Sequence, residues 1–299
     1  MRVNFTQSIL EVFKKDDKAI FITGDLGFNA LEELKSSFPD RFINAGVAEQ
    51  NMVGMAAGMA LSGYHPWIYS IAPFAVYRCF EQIRNDMCLH NLPICIVGNG
   101  GGYTYGVMGS THHALEDLGV LKTLPNIDLY FPCTNSDVDN CVKQIMNNKK
   151  PSYLRLGISG FPSDLKAMQS NEYLNKYLDG ELITVIGVGQ GVQPAIVAFK
   201  DNDGIADVFG VHKFNLKLAS VIDLIKSINK TKKILFIDEH YKNGSITESL
   251  IECLPKVKYD IMCAKYDKDQ LYGSNSFHLN QSEINPDIIV KKVYSLINK

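Results

Sequence analysis

Very little in this 299-residue sequence favours one sign of charge: 30 lysines and arginines face 32 aspartates and glutamates, a formal net charge of −2. A balance so near zero gives no electrostatic reason to bind nucleic acid or an anionic membrane surface. No run of about 18 uninterrupted apolar residues occurs, so no helix long enough to span a bilayer is expected. The first residues, MRVNFTQSILEVFKKDDKA, alternate charged and apolar positions and lack the apolar block of a secretory signal. The seven cysteines (79, 88, 95, 133, 141, 253 and 263) are odd in number, contain no C-x-x-C and mostly sit inside apolar segments. They read as reduced core residues of a cytoplasmic protein, not as a disulfide framework. Low-complexity tracts and internal repeats are also missing, which excludes solenoids and fibrous classes.

What is present is ample apolar material, 46% of residues, with 21% charged. The length suits two domains of about 150 residues each. Apolar runs at 19–23, 42–43, 66–71, 93–97, 128–133 and 153–156 read as strands. Helical spacing over 4–15, 29–37, 74–91, 114–124 and 135–148 separates them. Strands that alternate with helices imply a parallel, doubly wound sheet. From Ile158 to Glu181 the pattern breaks down, with Gly160, Pro162 and Ser163 among several charges. A second series follows, with strands at 182–188, 205–211, 234–238 and 259–264 and helices at 192–200, 216–229, 245–254 and 286–298. The expectation is an α/β chain of two doubly wound domains, 1–160 and 182–299, joined by a linker at 161–181.

Four local features and one arginine carry chemistry. The stretch RFINAGVAEQNMVGMAAGMALSG, Arg41 to Gly63, is a strand, a turn and a helix of small residues with Glu49 in its first turn. A glutamate there complements the helix dipole for purely structural reasons. Gly54, Ala56, Ala57, Gly58 and Ala60 leave so little bulk, however, that another backbone is expected close by, with Glu49 at a water-poor junction. In the run Ser70 to Arg78, Phe74 and Tyr77 stand at the carboxyl end of a parallel strand, where open sheets place ligands, while Phe80 reads as core. The glycine-rich segment Gly98 to Gly109 leads to Thr111-His112-His113. So many glycines imply either close backbone approach or mobility. Adjacent histidines point to opposite sides and make a poor metal pair, so a proton-transfer or hydrogen-bonding role for one of them is the better reading. Gly187-Val188-Gly189-Gln190-Gly191 follows a strand, but Val192 stands where a dinucleotide fingerprint needs its third glycine, and a tight turn explains it. Arg155, inside an apolar strand, either pairs with a carboxylate or faces an anion.

Taken together, R-F-I-N-A-G-V-A-E-Q-N-M-x-G-x-A-A-G, Y-S-x-A-P-F, E-Q-I-R-N-D, G-S-T-H-H and D-L-x-x-L-K-T-L-P-N resemble the C-terminal half of transketolase. More closely, they are similar to the stand-alone C-terminal subunit of split transketolases. The resemblance covers nearly the whole chain and implies a thiamine-diphosphate pyrimidine-binding domain followed by a transketolase C-terminal domain. It implies that Glu49 hydrogen-bonds N1′ of the thiamine aminopyrimidine and so promotes loss of the thiazolium C2 proton. By the same likeness Phe74 stacks on that ring, with Tyr77 and Ile71 beside it. His112, with His113 next to it, contacts the donor sugar, and Arg155 and Arg2 hold its phosphate.

The departures bear on partner and substrate. Met108 stands where transketolases carry an aspartate that reads the sugar's hydroxyls, and Gly100-Gly101-Gly102 replaces an expected histidine. A modified or less hydroxylated donor is therefore conceivable. The family's G-D-G…N signature, which holds Mg²⁺ and the diphosphate, does not occur in this sequence. That implies an N-terminal partner subunit in an α2β2 assembly, with the small-residue helix at the junction. Competing readings are the β subunit of a 2-oxo acid dehydrogenase, a 1-deoxyxylulose-5-phosphate-synthase-like enzyme and a nonenzymatic nucleotide-binding scaffold.

Overall fold

The computed structural model describes residues 1–158, 166–201, 204–215 and 218–298. Contacts divide the chain into two units. The first holds Met1–Gly101, Val120–Tyr130 and Asn135–Ile158; the second holds Gly102–Gly119, Phe131–Thr134 and the described residues from 166 onward. The division is thus not one cut in the sequence. Residues 161–165 of the expected linker and 216–217 of an expected helix lie outside the described residues.

In the first unit β1 (Ala19–Thr23), β2 (Phe42–Asn44), β3 (His65–Ile71), β4 (Cys95–Asn99), β5 (Asp128–Tyr130) and β6 (Ser152–Leu156) form one sheet in the order β2-β1-β3-β4-β6-β5. Every pairing in it is parallel. Strands such as AIFIT are buried at every position because parallel sheets are covered on both faces. One cover is the helix Arg2–Lys15, whose Phe5 ring lies 6.0 Å from Tyr69 and 6.4 Å from both Phe21 and Trp67. Chain order reverses at β1, whose neighbours are β2 and β3. The carboxyl ends of β1 and β3 therefore flank the crevice where such sheets bind ligands.

In the second unit β7 (Gln169–Ser170), β8 (Leu174–Leu178), β9 (Gly180–Val188), β10 (Gly204–Val211), β11 (Lys233–Tyr241) and β12 (Lys258–Ala264) run in the order β12-β11-β9-β10-β8-β7. The pairs from β12 to β10 are parallel, and β8 and β7 add antiparallel edges. Two doubly wound α/β sheets are thus present, as the alternating pattern implies.

The differences have physical causes. Part of the stretch read as linker is sheet, because the charge of Lys176 in β8 is neutralised by Asp207 of β10 at 2.9 Å. The helix anticipated over 74–91 is broken into Ala72–Val76, Phe80–Gln82 and a π-helical turn at Ile83–Cys88, in which the Leu89 N–H reaches back to the Arg84 carbonyl at 3.0 Å. The helix Asn275–Gln281, capped by Ser274, has no counterpart in the sequence reading. Among the described residues no helix is long and apolar enough to cross a membrane.

Candidate active site

Glu49 opens the helix Glu49–Leu61 and is 4% exposed. An ionised carboxylate so buried is costly unless hydrogen-bonded or paired. Three features offset that cost. It lies at the positive end of the helix, Arg78 Nη1 donates to Oε2 at 3.0 Å, and the Ser70 hydroxyl donates to Oε1 at 3.4 Å. Ser70 belongs to β3, and a Cβ on Gly24, just past β1, would meet Ser70 Oγ at 3.4 Å. The carboxylate therefore stands at the chain reversal of the first sheet.

The helix turns Met52, Val53, Ala56, Ala57 and Ala60 inward. On its other side a Cβ built at Gly54 or Gly58 has nothing within 4 Å, and the flanking Val47 and Leu61 are exposed. The close backbone expected from so many small residues is not supplied by the described residues of this chain.

Arg78 links the Phe74 ring to this carboxylate. Its guanidinium lies over the Phe74 ring, 4.4 Å from the centroid, while bonding Glu49. Ile71, the last residue of β3, and Phe74 are half-buried, and Tyr77 is exposed. The Cys79 thiol donates to the Phe74 carbonyl at 3.4 Å; burial and the Glu49 charge push its pKa up to about 12, so it stays a thiol at neutral pH. Neither Arg78 nor Ser70 carries a role in the sequence reading. The signal for Arg78 was its place four residues after Phe74, a spacing that brings side chains together on a helical turn.

The two proposed phosphate arginines sit elsewhere in the same unit. Arg155 is buried in β6, two strands beyond β3, and a Cβ on Gly101 would collide with its stem. Arg2 is exposed on the first turn of its helix.

His112 and His113 belong to the second unit and face different surroundings. His112 is half-buried on the turn Ser110–His112, where the Thr111 hydroxyl lies 3.0 Å from its Nδ1. His113 is buried edge-on between Tyr103 at 5.1 Å and His278 at 4.7 Å. Burial and the neighbouring His278 pull its pKa down to about 4, and its Nε2 has no hydrogen-bond partner among the described residues. Met108, on the turn Gly106–Met108, is half-exposed. The many glycines of this segment resolve as close approach: side chains of the second unit, and at Gly106 the Gly273 carbonyl as well, fill the space that side chains on Gly102, Gly106 and Gly109 would need. The turn Gly189–Val192 is tight for the same reason, since a Cβ on Gly191 would meet the Ile237 carbonyl at 2.7 Å. Among the described residues, no three His, Cys, Asp or Glu side chains are gathered as a metal site.

The chemistry available is specific. A carboxylate with one oxygen held by a charged donor and the other lightly held can share a proton with a basic ring nitrogen, and Phe74 offers a flat surface beside it.

Residues 1–159 match the family model described as transketolase, pyrimidine binding domain. Over 286 residues the chain is 30% identical to one of the subunits of the apulose-4-phosphate transketolase of Phocaeicola vulgatus, covering 93% of this chain and 91% of that one. It is 29% identical over 264 residues to the 1-deoxy-D-xylulose-5-phosphate synthase of Clostridium perfringens, covering 86% of this chain and 42% of that protein. Among solved structures, one described as a split gene transketolase, inactive beta4 tetramer, superposes with a TM-score of 0.84 at 23% identity, over 99% of this chain and 98% of that one. That last likeness speaks to the fold alone.

Proposed function

The chain belongs to the transketolase family, and we propose that it is the C-terminal subunit of a two-subunit, thiamine-diphosphate-dependent transketolase that moves a two-carbon ketol unit between sugar or sugar-phosphate substrates. The observation that carries this reading is the buried Glu49 carboxylate at the first sheet's chain reversal, joined through Arg78 to the Phe74 ring. In this reading residues 1–160 form the pyrimidine-binding domain and 182–299 the transketolase C-terminal domain.

The residues present fit one end of the cofactor. When bound, thiamine diphosphate supplies the carbon nucleophile of ketol transfer. Glu49 would hold a proton against the aminopyrimidine nitrogen, with Arg78 and Ser70 fixing the orientation of its two oxygens. Phe74 would stack on the ring, with Ile71 and Tyr77 beside it. His112, its ring steadied by Thr111, would contact the hydroxyls of the donor, and the adjacent, buried His113 would back that contact. Arg155 and Arg2 would take the phosphate of the sugar.

Mg²⁺ and the diphosphate are assigned to a separate N-terminal subunit, because this sequence has no G-D-G…N signature. The bare outward face at Gly54 and Gly58 supports a close junction there, in an α2β2 assembly. Met108 supports a donor that differs from the usual hydroxylated ketose phosphate.

The test is binding of thiamine diphosphate and ketol transfer with and without a coexpressed N-terminal subunit. Activity that appears only with the partner is expected. If the chain bound NAD and no partner produced ketol transfer, the reading would fail. The likeness to a 1-deoxy-D-xylulose-5-phosphate synthase favours a second reading, and pyruvate accepted as the two-carbon donor in place of a ketose would establish it.

A further inference from the structure

We propose that Glu239 and His240, adjacent at the carboxyl end of β11, are positioning residues that hold the two ends of the loop Gly102–Gly119 and thereby place Thr111 and His112. The proposal rests on the reading of His112 as a donor-sugar contact. It gives the second sheet a task in that reaction without any ligand of its own.

The starting point is topology. In the order β11-β9-β10 the chain reverses at β9, so the carboxyl ends of β9 and β11 flank the second sheet's ligand crevice. Here the chain itself fills that region. Gly191 packs its backbone on Ile237 and Asp238, the Phe131 N–H donates to the His212 carbonyl at 2.8 Å, and the Gln193 amide donates to the Cys133 carbonyl. The loop Gly102–Gly119 joins them in the same unit. Residues that would face a nucleotide in a dinucleotide-binding fold face the protein's own backbone.

The two grips are specific. Glu239 is 3% exposed, and its Oε1 accepts from the Tyr103 N–H at 2.8 Å and from Asn275 Nδ2 at 3.1 Å. Gly102 has φ of +62°, and a Cβ there would land on the Glu239 carboxylate, so the backbone lies directly against it. At the other end, His240 Nε2 accepts from the Gly119 N–H at 3.2 Å. An accepting Nε2 requires the proton on Nδ1, which donates to the Tyr241 carbonyl at 2.7 Å. A Cβ on Gly119 would meet His240 Cε1 at 3.0 Å and the Gly244 carbonyl at 2.8 Å. The next residue of the strand adds a third tie, from the Tyr241 N–H to the Leu115 carbonyl at 3.0 Å.

Between these grips the loop is closed on itself. Gly102 and Ala114 exchange both backbone hydrogen bonds at 3.0 Å, two residues beyond His112. His278 Nε2 lies 3.3 Å from the Gly106 carbonyl, and Tyr272 lies against Gly109. His112 therefore rides on a loop whose base is set by two neighbouring residues of one strand. A buried carboxylate is an expensive way to fill space, and an apolar side chain of similar size would pack at lower cost. Its geometry makes sense as a strong acceptor for a loop amide that must not move.

The test uses the full chain for amide exchange and its complex with the N-terminal subunit for kinetics. The variants are Glu239→Ala, Glu239→Gln, His240→Phe and His240→Gln. Glutamine keeps an acceptor at each position, whereas alanine and phenylalanine remove it. In Glu239→Ala and His240→Phe, exchange at the Tyr103 and Gly119 amides is expected to rise at least about tenfold. Donor kcat/KM in the complex is expected to fall about 10- to 100-fold, as for a displaced contact residue, with the thiamine diphosphate Kd unchanged and both effects largely restored by glutamine. Asn275→Ala, which removes a partner of Glu239 at a less buried position, should shift Tyr103 exchange in the same direction.

Unchanged exchange in these variants would overturn the proposal. So would a cofactor Kd that worsens in step with kcat/KM, or glutamine variants no better than alanine and phenylalanine. A wild-type complex without ketol transfer would instead defeat the functional reading, and the exchange experiment would still decide whether the two residues hold the loop.

Discussion

Arg78 Nη1 donates to the buried Oε2 of Glu49 at 3.0 Å from a side chain that is itself 45% exposed. One end of this pair is thus solvated while the other is not. The solvated end lowers the cost of burying the carboxylate, and the buried end holds the guanidinium over the Phe74 ring. Arg78→Ala should therefore destabilise the chain by about 1–2 kcal/mol, below the cost of breaking a fully buried pair. Arg78→Lys should recover part of that loss, since it keeps the charge but not the guanidinium that lies over the ring. Urea midpoints of the three proteins measure this.

Glu49→Gln keeps the shape of the side chain and removes its capacity to take up a proton. In the complex with the N-terminal subunit, exchange of the thiamine diphosphate C2 proton is expected to slow by about 10²- to 10⁴-fold, with assembly retained. Proton NMR of quenched samples reads the exchange rate. A wild-type rate in this variant would take Glu49 out of the proposed role.

His113 links stability to pH. Its pKa is lowered to about 4 from an ordinary 6.5, by burial first and by His278 second, with a hydrogen bond to the Gly106 backbone and the charge of Asp267 opposing. The unfolded chain therefore binds a proton at higher pH than the folded one does. The contribution of this residue to stability is therefore complete above pH 6.5 and declines as pH falls towards 4. The decline attributable to this residue is at most about 3 kcal/mol. His113→Phe should flatten that part of the curve, as followed by denaturant unfolding between those two pH values.

Gly58 lies in a helix interior with open space where a side chain would go. Gly58→Ala should stabilise the isolated chain by about 0.5–1 kcal/mol, through helix propensity alone. Gly58→Phe should leave the isolated chain folded and block its assembly with the N-terminal subunit. Thermal unfolding together with size-exclusion chromatography of the mixture separates the two effects; assembly undiminished by phenylalanine would move the junction elsewhere.

The sequence by itself determined the alternation of strands and helices, because short apolar runs buried on both faces and helices with one apolar stripe are local patterns. It also determined that Glu49 opens a helix after a strand, and that Phe74 and Tyr77 follow another strand. Those are statements about neighbours in the chain. Tertiary structure alone decided what each group meets. Arg78 reaches Glu49 across 29 positions, and Glu239 meets the Tyr103 amide across 136. Lys176 hid a strand because its partner Asp207 lies on another one. The glycines before His112 could signal motion or close contact, and only the groups packed on them settled which, since a missing side chain leaves no trace in the sequence of what occupies its place. The same limit applies to His113, whose burial among rings depends on His278, 165 residues further along the chain.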